Sequence, residues 1–158
     1  MKASRTKTRR LLLQKLYTHI YTELDEDLFE GAFFEGRFDF APDEVYLKEM
    51  IAIILEKQDI LLDIISEYAP RFDIDTMLKT NILAIMVALA EMLYLTEEIP
   101  AKVSIDEAIS LSKYYGDDTS KNIVNGILHS FYKNIESHTK KNINTTKKQY
   151  HFFHKKLP

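Results

Sequence analysis

The chain contains no cysteine and only four glycines and four prolines among its 158 residues. The absence of cysteine excludes disulfide bonds, cysteine metal ligands and a cysteine nucleophile. The scarcity of glycine and proline leaves long helices uninterrupted. No apolar run approaches the roughly 20 residues that a membrane-spanning helix needs, and the N-terminus lacks the apolar region of a signal peptide. These absences predict a cytoplasmic protein that depends on packing for its stability.

Hydrophobic residues make up 46% of the sequence, which is enough for one substantial core at this length. They recur at three- and four-residue spacing, so we predict an all-α fold. Asp43 can cap the second predicted helix, and Asp73 or Asp75 can introduce the third. The third is so rich in apolar residues that we expect it at the centre of the core. The first three predicted helices span residues 6–22, 44–68 and 73–95, and the acidic, aromatic segment 25–42 is predicted to be a connection.

Residues 99–128 form two amphipathic helices that are joined by a short junction. Gly116 lies where the end of a helix commonly needs a left-handed residue. Thr119 or Ser120 can cap the helix that follows. Gly126 lies inside that helix, where glycine costs about 1 kcal/mol relative to alanine. We therefore expect Gly126 to allow another helix to approach closely.

The formal net charge of −3 hides a strong asymmetry along the chain. Residues 1–15 contain six basic residues and no acidic residue, and residues 133–158 contain seven lysines and one glutamate. Each of these ends therefore carries +6, which leaves −15 for the segment between them. An acidic body with basic ends should bind a polyanion at a restricted location. This pattern favours nucleic acid as a partner.

Three parts of the sequence carry a family resemblance. The most specific part reads PAKVSIDEA at 100–108, KYYG at 113–116 and S-x-x-x-VNGIL at 120–128. The basic N-terminus followed by LQ-x-LY at 13–17 agrees with it, as does AL-x-E at 88–91. Together these segments resemble the NusB family of bacterial transcription antitermination factors. The resemblance extends over the helical core to about residue 134, matches poorly near 23–45 and does not include the tail.

The resemblance implies a NusB-like helical bundle of two packed three-helix subdomains. It implies an RNA-binding domain at residues 1–134, followed by a basic, flexible tail at 135–158. Such a protein is not an enzyme and needs no cofactor. It binds boxA-type single-stranded RNA together with NusE, a small-subunit ribosomal protein, and acts on the elongating RNA polymerase, notably during ribosomal RNA transcription. The family also allows a homodimer.

RNA contacts are expected at both ends of the helical core. Basic side chains supply charge and donors for phosphates, and a tyrosine can stack on an unpaired base. Each expectation has a structural alternative. The basic N-terminus could only aid solubility, Tyr17 could be a half-buried tyrosine of the first helix, and Lys121 could be an exposed lysine without a partner. NusB proteins often carry lysine at the position of Asn122, whereas this chain has it one place earlier. The predicted RNA-binding residues are Arg5, Lys7, Arg9, Arg10, Tyr17, Lys121 and Asn122.

The resemblance places the contact with the NusE-like partner on the helix around residues 88–91. The predicted partner residues are Asn81, Met86 and Glu91. Asn81 stands where the family commonly has an acidic residue, Met86 where it has arginine, and Ala90 where it has tyrosine. These departures leave the geometry of the partner contact open.

The remaining predictions concern the C-terminal tail and two alternative functions. The tail is predicted to be an unstructured appendage, with RNA contact through its lysines and aromatic residues as the alternative. His138, His151 and His154 do not form a recognised metal site. One alternative function is a diverged helical protein-interaction module without specific RNA binding. Another is an RNA-modification enzyme, because a similar domain occurs in certain ribosomal RNA cytosine methyltransferases, but the glycine-rich cofactor loop and the catalytic cysteines are absent.

Overall fold

The computed structural model describes residues 4–22, 40–71, 73–140 and 148–154, with the side chains of all of these except 139 and 140. The secondary-structure elements within these ranges are all α-helices, which confirms the predicted all-α class. Most of the predicted connection 25–42 lies outside the described residues. The helices are α1 (Arg5–Tyr21), α2 (Glu44–Tyr68), α3 (Lys79–Tyr94), α4 (Ala101–Tyr115), α5 (Ser120–Lys133) and α6 (Ile135–Lys140).

Helix α3 is the centre of the core, as its apolar sequence predicts. It packs against α1, α2, α4 and α5. Every residue from 82 to 90 is buried, because a helix that is apolar on all sides has no face to offer to water. The surrounding helices contribute large side chains that are almost completely buried, among them Leu12, Leu61 and Phe131. The four outer helices are therefore positioned by their contacts with α3.

The beginnings of α1 and α2 follow the local sequence. The side chain of Ser4 accepts a hydrogen bond from the backbone N–H of Lys7 at 3.2 Å. The predicted cap at Asp43 is confirmed, because its Oδ1 accepts from the backbone N–H of Tyr46 at 3.1 Å. Each cap satisfies a backbone donor that the first turn of a helix leaves without a partner.

Helix α3 begins later than predicted, at Lys79 instead of at Asp73 or Asp75. The carbonyl of Asp73 accepts hydrogen bonds from the backbone N–H groups of Thr76 and Met77, at 3.0 and 2.9 Å. Asp73 therefore closes a separate turn before the helix. Its side chain stabilises the same turn by accepting from the N–H of Asp75.

The junction between α4 and α5 differs from the prediction in two ways. Gly116 has φ −98° and ψ −163°, which is extended and not left-handed. Glycine is needed there because of crowding: an added Cβ would overlap Ser120 Oγ and lie 2.5 Å from the carbonyl oxygen of Ser112. Neither Thr119 nor Ser120 caps α5 with its side chain. Instead, Asp117 Oδ1 accepts from the Thr119 N–H at 3.0 Å and from Ser120 Oγ at 3.1 Å.

The prediction that Gly126 allows a close helix approach is wrong. Gly126 lies on the exposed side of α5, and an added Cβ would meet nothing within 4 Å. Glycine at this position only weakens the helix, because it has more conformational freedom to lose on folding than alanine has.

We expect the two glycines to respond in opposite directions to the same substitution. Gly126→Ala should raise the free energy of unfolding by about 0.5–1 kcal/mol through helix propensity. Gly116→Ala should lower it by about 1–2 kcal/mol through overpacking against Ser112 and Ser120. Urea denaturation followed by circular dichroism measures both values. A stabilised Gly116→Ala variant or a destabilised Gly126→Ala variant would contradict these assignments.

The C-terminal segment is not an unstructured appendage in the residues that the structure describes. Helix α6 holds His138, which is 6% exposed and lies 2.7 Å from the hydroxyl of Tyr68. Residues 148–154 lie against α1 and α2, and Phe153 is buried with the core residues. In residues 148–154, aromatic side chains bury apolar area that the expectation of a flexible tail did not take into account.

Candidate nucleic-acid interface

One face of α1 combines basic and aromatic side chains. Lys7, Arg10, Gln14, Tyr17 and Tyr21 follow one another at alternating spacings of three and four residues, so they share one side of the helix. We call these five residues the α1 strip. Its basic residues are partly exposed, and both of its tyrosines are exposed. The two tyrosine rings meet edge to face, with centroids 5.4 Å apart.

The N-terminal half of the α1 strip borders a cleft of about 170 Å³ against the end of α4. The guanidinium carbon of Arg10 lies 4.2 Å from the centroid of the Tyr114 ring. Gln14 Nε2 donates a hydrogen bond to the hydroxyl of Tyr115 at 2.6 Å. Burial raises the pKa of Tyr115, so this hydroxyl stays protonated. Phe40 closes another side of the cleft.

Tyr114 is the residue of this surface that sequence reasoning missed. Its side chain is 60% exposed, although one face of its ring is covered by Arg10. An exposed aromatic ring beside a guanidinium can accept a stacked base while the cation binds the adjacent phosphate. The aromatic pair in KYYG was a signal for this role, but the partner of Tyr114 lies on a helix about a hundred residues earlier in the chain.

Arg5 lies beside the start of α2, where its contacts with Asp43 and Tyr46 leave only part of its side chain exposed to a ligand. Its Nη2 pairs with Asp43 Oδ2 at 2.7 Å, and its guanidinium lies 4.3 Å from the centroid of Tyr46. The hydrogen bond from the Tyr46 backbone N–H, with the one from Arg5, lowers the pKa of Asp43. The carboxylate is therefore charged and holds Arg5 in place. Arg5 still has 38% of its side chain exposed.

Arg9 is not on the surface, which corrects its predicted role in RNA contact. It is 2% exposed and donates two hydrogen bonds to the Glu91 carboxylate, at 2.8 and 3.0 Å. Glu91 also accepts from the hydroxyl of Tyr46 at 2.5 Å and from Ser104 Oγ at 2.8 Å. The charges of Arg9 and Glu91 therefore satisfy each other inside the protein, and Arg9 presents no surface to a phosphate.

Electrostatics keeps Arg9 and Tyr46 of this buried cluster protonated. Burial alone would lower the pKa of Arg9, but its hydrogen bonds and its attraction to Glu91 outweigh burial and raise it. Burial, reinforced by the charge of Glu91, raises the pKa of Tyr46. Tyr46 therefore remains a donor. The cluster joins α1, α2, α3 and α4 through a single carboxylate.

The predicted partner residues Asn81, Met86 and Glu91 are also inside the protein. Their exposed fractions are 3%, 0% and 0%. The prediction that they contact a protein partner is therefore corrected, because side chains of α3 face the surrounding helices on every side. Ala90, the third departure noted in the sequence, is equally buried.

Lys121 and Asn122 are both exposed but face different hollows, because adjacent helical residues point about 100° apart. Lys121 lines a hollow of about 220 Å³ together with Lys113, Gly116, Asp117 and Asp118. Asn122 lies on a groove of about 450 Å³ between α5 and the segment after α2, with Tyr68, Arg71, Ile123 and Gly126 in its lining.

The structure thus brings Lys7, Arg10 and Tyr17 together on the α1 strip, whereas Lys121 lines a separate hollow at the junction of α4 and α5. Asn122 faces a separate groove, and Arg5 lies at the start of α2. Among the described residues there is no group of three side chains that is suited to hold a metal ion. None of the helices described is both long and apolar enough to cross a membrane.

An all-helical scaffold with a basic and aromatic surface strip is typical of the class of helical nucleic-acid-binding proteins. Comparison with known proteins identifies the family. The NusB family model matches residues 6–133, and this chain therefore belongs to the NusB family.

Individual relatives agree with this assignment. The transcription antitermination protein NusB of Clostridium perfringens (strain SM101) is 33% identical over 137 residues, covering 84% of this chain and 99% of that protein. The NusB of Bacillus subtilis (strain 168) is 32% identical over 102 residues, or 65% and 77% of the two chains. The solved structure of T. maritima NusB superposes with a TM-score of 0.71 at 28% identity, covering 84% of this chain and 93% of that one. The relatives are transcription antitermination proteins, which are not a known enzyme family.

Proposed function

We propose that this protein is an antitermination factor that binds boxA-type RNA together with a NusE-like ribosomal protein. The complex attaches that RNA to the elongating RNA polymerase, notably during ribosomal RNA synthesis in the cytoplasm. The observation that carries the proposal is the α1 strip with its cleft against Tyr114, in a chain of the NusB family. The protein contributes a preformed surface and performs no chemical step.

RNA binds along the α1 strip in this proposal. Lys7 and Arg10 bind phosphates, because their charges lie at the surface and release counterions when they pair with the backbone. Tyr114 and Tyr17 offer ring faces for unpaired bases. Lys121 lines a separate hollow with Lys113, Asp117 and Asp118, and it binds a phosphate only where the strand reaches that hollow. Asn122 contacts RNA only where the strand continues into the groove between α5 and the end of α2.

The NusE-like partner is proposed from the family alone. Asn81, Met86 and Glu91 are buried, so their side chains do not take part in the proposed contact with the partner. A partner must bind side chains on the outer helices instead.

The proposal is tested with fluorescent boxA-like RNA and a scrambled control, with and without the cognate NusE-like protein, across a salt series. We expect preferential binding of the boxA-like RNA that is enhanced by the partner. The logarithm of the association constant should fall with the logarithm of salt concentration by about 0.7 for each phosphate contact. Equal binding of both RNAs would indicate generic electrostatics. Binding to neither the boxA-like RNA nor the partner would refute the proposal.

A protein-interaction module is the second candidate function, and the groove beside Asn122 favours it. The groove combines apolar side chains of α5 with Tyr68, and Gly126 leaves its surface open. Apolar concave surfaces of this kind commonly bind other proteins. Salt-insensitive binding of a protein partner, without any affinity for RNA, would support this second function.

A further inference from the structure

Residues 148–154, which follow the part of the chain that the family model matches, make specific hydrogen bonds to α2. The backbone N–H of Tyr150 donates to Asp59 Oδ1 at 2.9 Å. The hydroxyl of Tyr150 donates to Asp63 Oδ1 at 3.0 Å and lies 3.5 Å from Ser66 Oγ. Asp59 and Asp63 are four residues apart, so they share one face of α2. Lys148 covers the Tyr150 ring, with its Nζ 4.6 Å from the centroid.

The same segment then reaches the end of α1. Phe153 is 3% exposed, and its backbone N–H donates to Gln58 Oε1 at 3.3 Å. The N–H of His154 donates to the carbonyl of His19 at 2.8 Å. This carbonyl is one of the last four of α1, for which the helix itself supplies no N–H donor. The segment thus acts as a cap that is supplied from the other end of the chain.

The docked conformation is specific and not that of a relaxed chain. His151 has φ +52°, the left-handed region that residues other than glycine seldom adopt. This local bend separates Tyr150 from the Phe152–Phe153 pair, whose rings pack edge to face at 5.0 Å. A short segment keeps such a conformation only when its surroundings hold it there.

We propose that the polar, acidic face formed by Gln58, Asp59 and Asp63 of α2 with the end of α1 is a peptide-binding surface. Its ligand is the chain's own segment 148–154, which we call the tail motif. The occupied surface fixes the C-terminal end of α1 and with it Tyr17 and Tyr21 of the α1 strip. Docking itself is independent of the proposed function, whereas its effect on RNA rests on that function.

Charge complementarity supports this ligand. Helix α2 carries six acidic and two basic residues, whereas residues 133–158 carry seven lysines and one glutamate. The lysines draw the tail towards α2, and the aromatic residues and backbone donors of the tail motif then select the position. The match to the NusB family model ends at residue 133, so the tail motif lies outside the matched residues.

The test measures amide hydrogen exchange in the full-length protein and in its Phe153→Ala variant. The amides of Tyr150 and His154, and that of Thr22 at the end of α1, should exchange about tenfold faster in the variant, while those of α4 and α5 keep their rates. Adding a synthetic peptide with the sequence of residues 145–156 should restore the slow exchange at Thr22. Tyr132→Ala, which removes an exposed aromatic residue of α5, is the matched control.

A milder pair of variants covers the case in which Phe153→Ala disturbs the fold. Tyr150→Phe and Asp63→Ala each remove one partner of the same hydrogen bond, so the double variant should accelerate exchange little more than either single variant. Glu49→Gln, which removes an exposed charge elsewhere on α2, should change nothing. Native Tyr150 and His154 amides that exchange as fast as those of the free peptide would overturn the proposal.

RNA binding separates this proposal from the function on which it partly rests. If the native protein binds boxA-like RNA, Phe153→Ala should weaken that binding several-fold; unchanged binding would overturn the fixing of α1. If the native protein binds no RNA, the proposed function fails, and slow exchange at Tyr150, His154 and Thr22 still decides whether the tail motif is the ligand.

Discussion

Replacing Glu91 by alanine is expected to lower the free energy of unfolding by about 3–5 kcal/mol. The substitution leaves the guanidinium of Arg9 buried without its main counter-charge, and it leaves the Tyr46 and Ser104 hydroxyls without their acceptor. A buried donor that loses its partner costs the full desolvation penalty of the group. Glu107, 3.7 Å from Arg9 Nη1 and partly exposed, compensates only in part for the lost carboxylate.

Urea denaturation of a double-mutant cycle checks this value. The double variant Arg9→Met, Glu91→Met should lose less stability than the sum of the losses in the two single variants. The reason is that removing both charges leaves neither one buried alone. Glu107→Ala serves as the control and should cost less than about 1 kcal/mol, since its pair with Arg9 is long and more solvated. Additive single substitutions would show that Arg9 and Glu91 are not coupled.

The same variants distinguish a structural Arg9 from an RNA-binding one. Under conditions in which the Arg9→Met, Glu91→Met protein remains folded, its affinity for boxA-like RNA should match that of the native protein. A loss comparable to that of Arg10→Ala would mean that Arg9 leaves its buried pair to contact RNA.

Replacing Arg10 and Tyr114 together by alanine is expected to weaken RNA binding by about 100-fold, which corresponds to about 2.7 kcal/mol. Stacking on one aromatic side chain contributes about 1–3 kcal/mol per base, and Arg10 adds a phosphate contact. Neither side chain is buried, so the variant should remain folded. Fluorescence anisotropy with boxA-like RNA across a salt series measures the loss.

Two further variants assign the two parts of this effect. Arg10→Lys keeps the charge but loses the planar guanidinium that covers the Tyr114 ring, so it should retain the salt dependence and lose part of the affinity. Tyr132→Ala removes an exposed tyrosine of α5 and should leave RNA binding unchanged. A native affinity in the double variant would exclude the cleft as the RNA site.

Local sequence patterns predicted the helices well because periodicity and capping depend on neighbouring residues. The cap at Asp43 and the extent of α2 are as predicted, and the continuous apolar run of α3 identified the central helix. The start of α3 was predicted too early, since Asp73 can begin either a helix or a turn. The choice between them depends on where the chain packs.

The predicted site was only partly correct, because charge does not reveal orientation. Arg9 and Arg10 are equally basic, yet Arg9 precedes Leu12, Leu13 and Leu16 at helical spacing and so falls on the inward face of α1. This spacing was a usable signal. What it could not supply was Glu91, 82 positions later in the chain, without which a buried arginine would be too costly.

The all-α class, the family, the central helix and the basic N-terminal segment follow from the order of the residues. Which basic residues reach the surface, the contact of Tyr114 with Arg10 and the docking of the tail motif on α2 follow only from the folded arrangement. The reason is physical: apolar periodicity and caps act within a few residues, whereas ion pairs, ring contacts and clefts form between residues that only folding brings together.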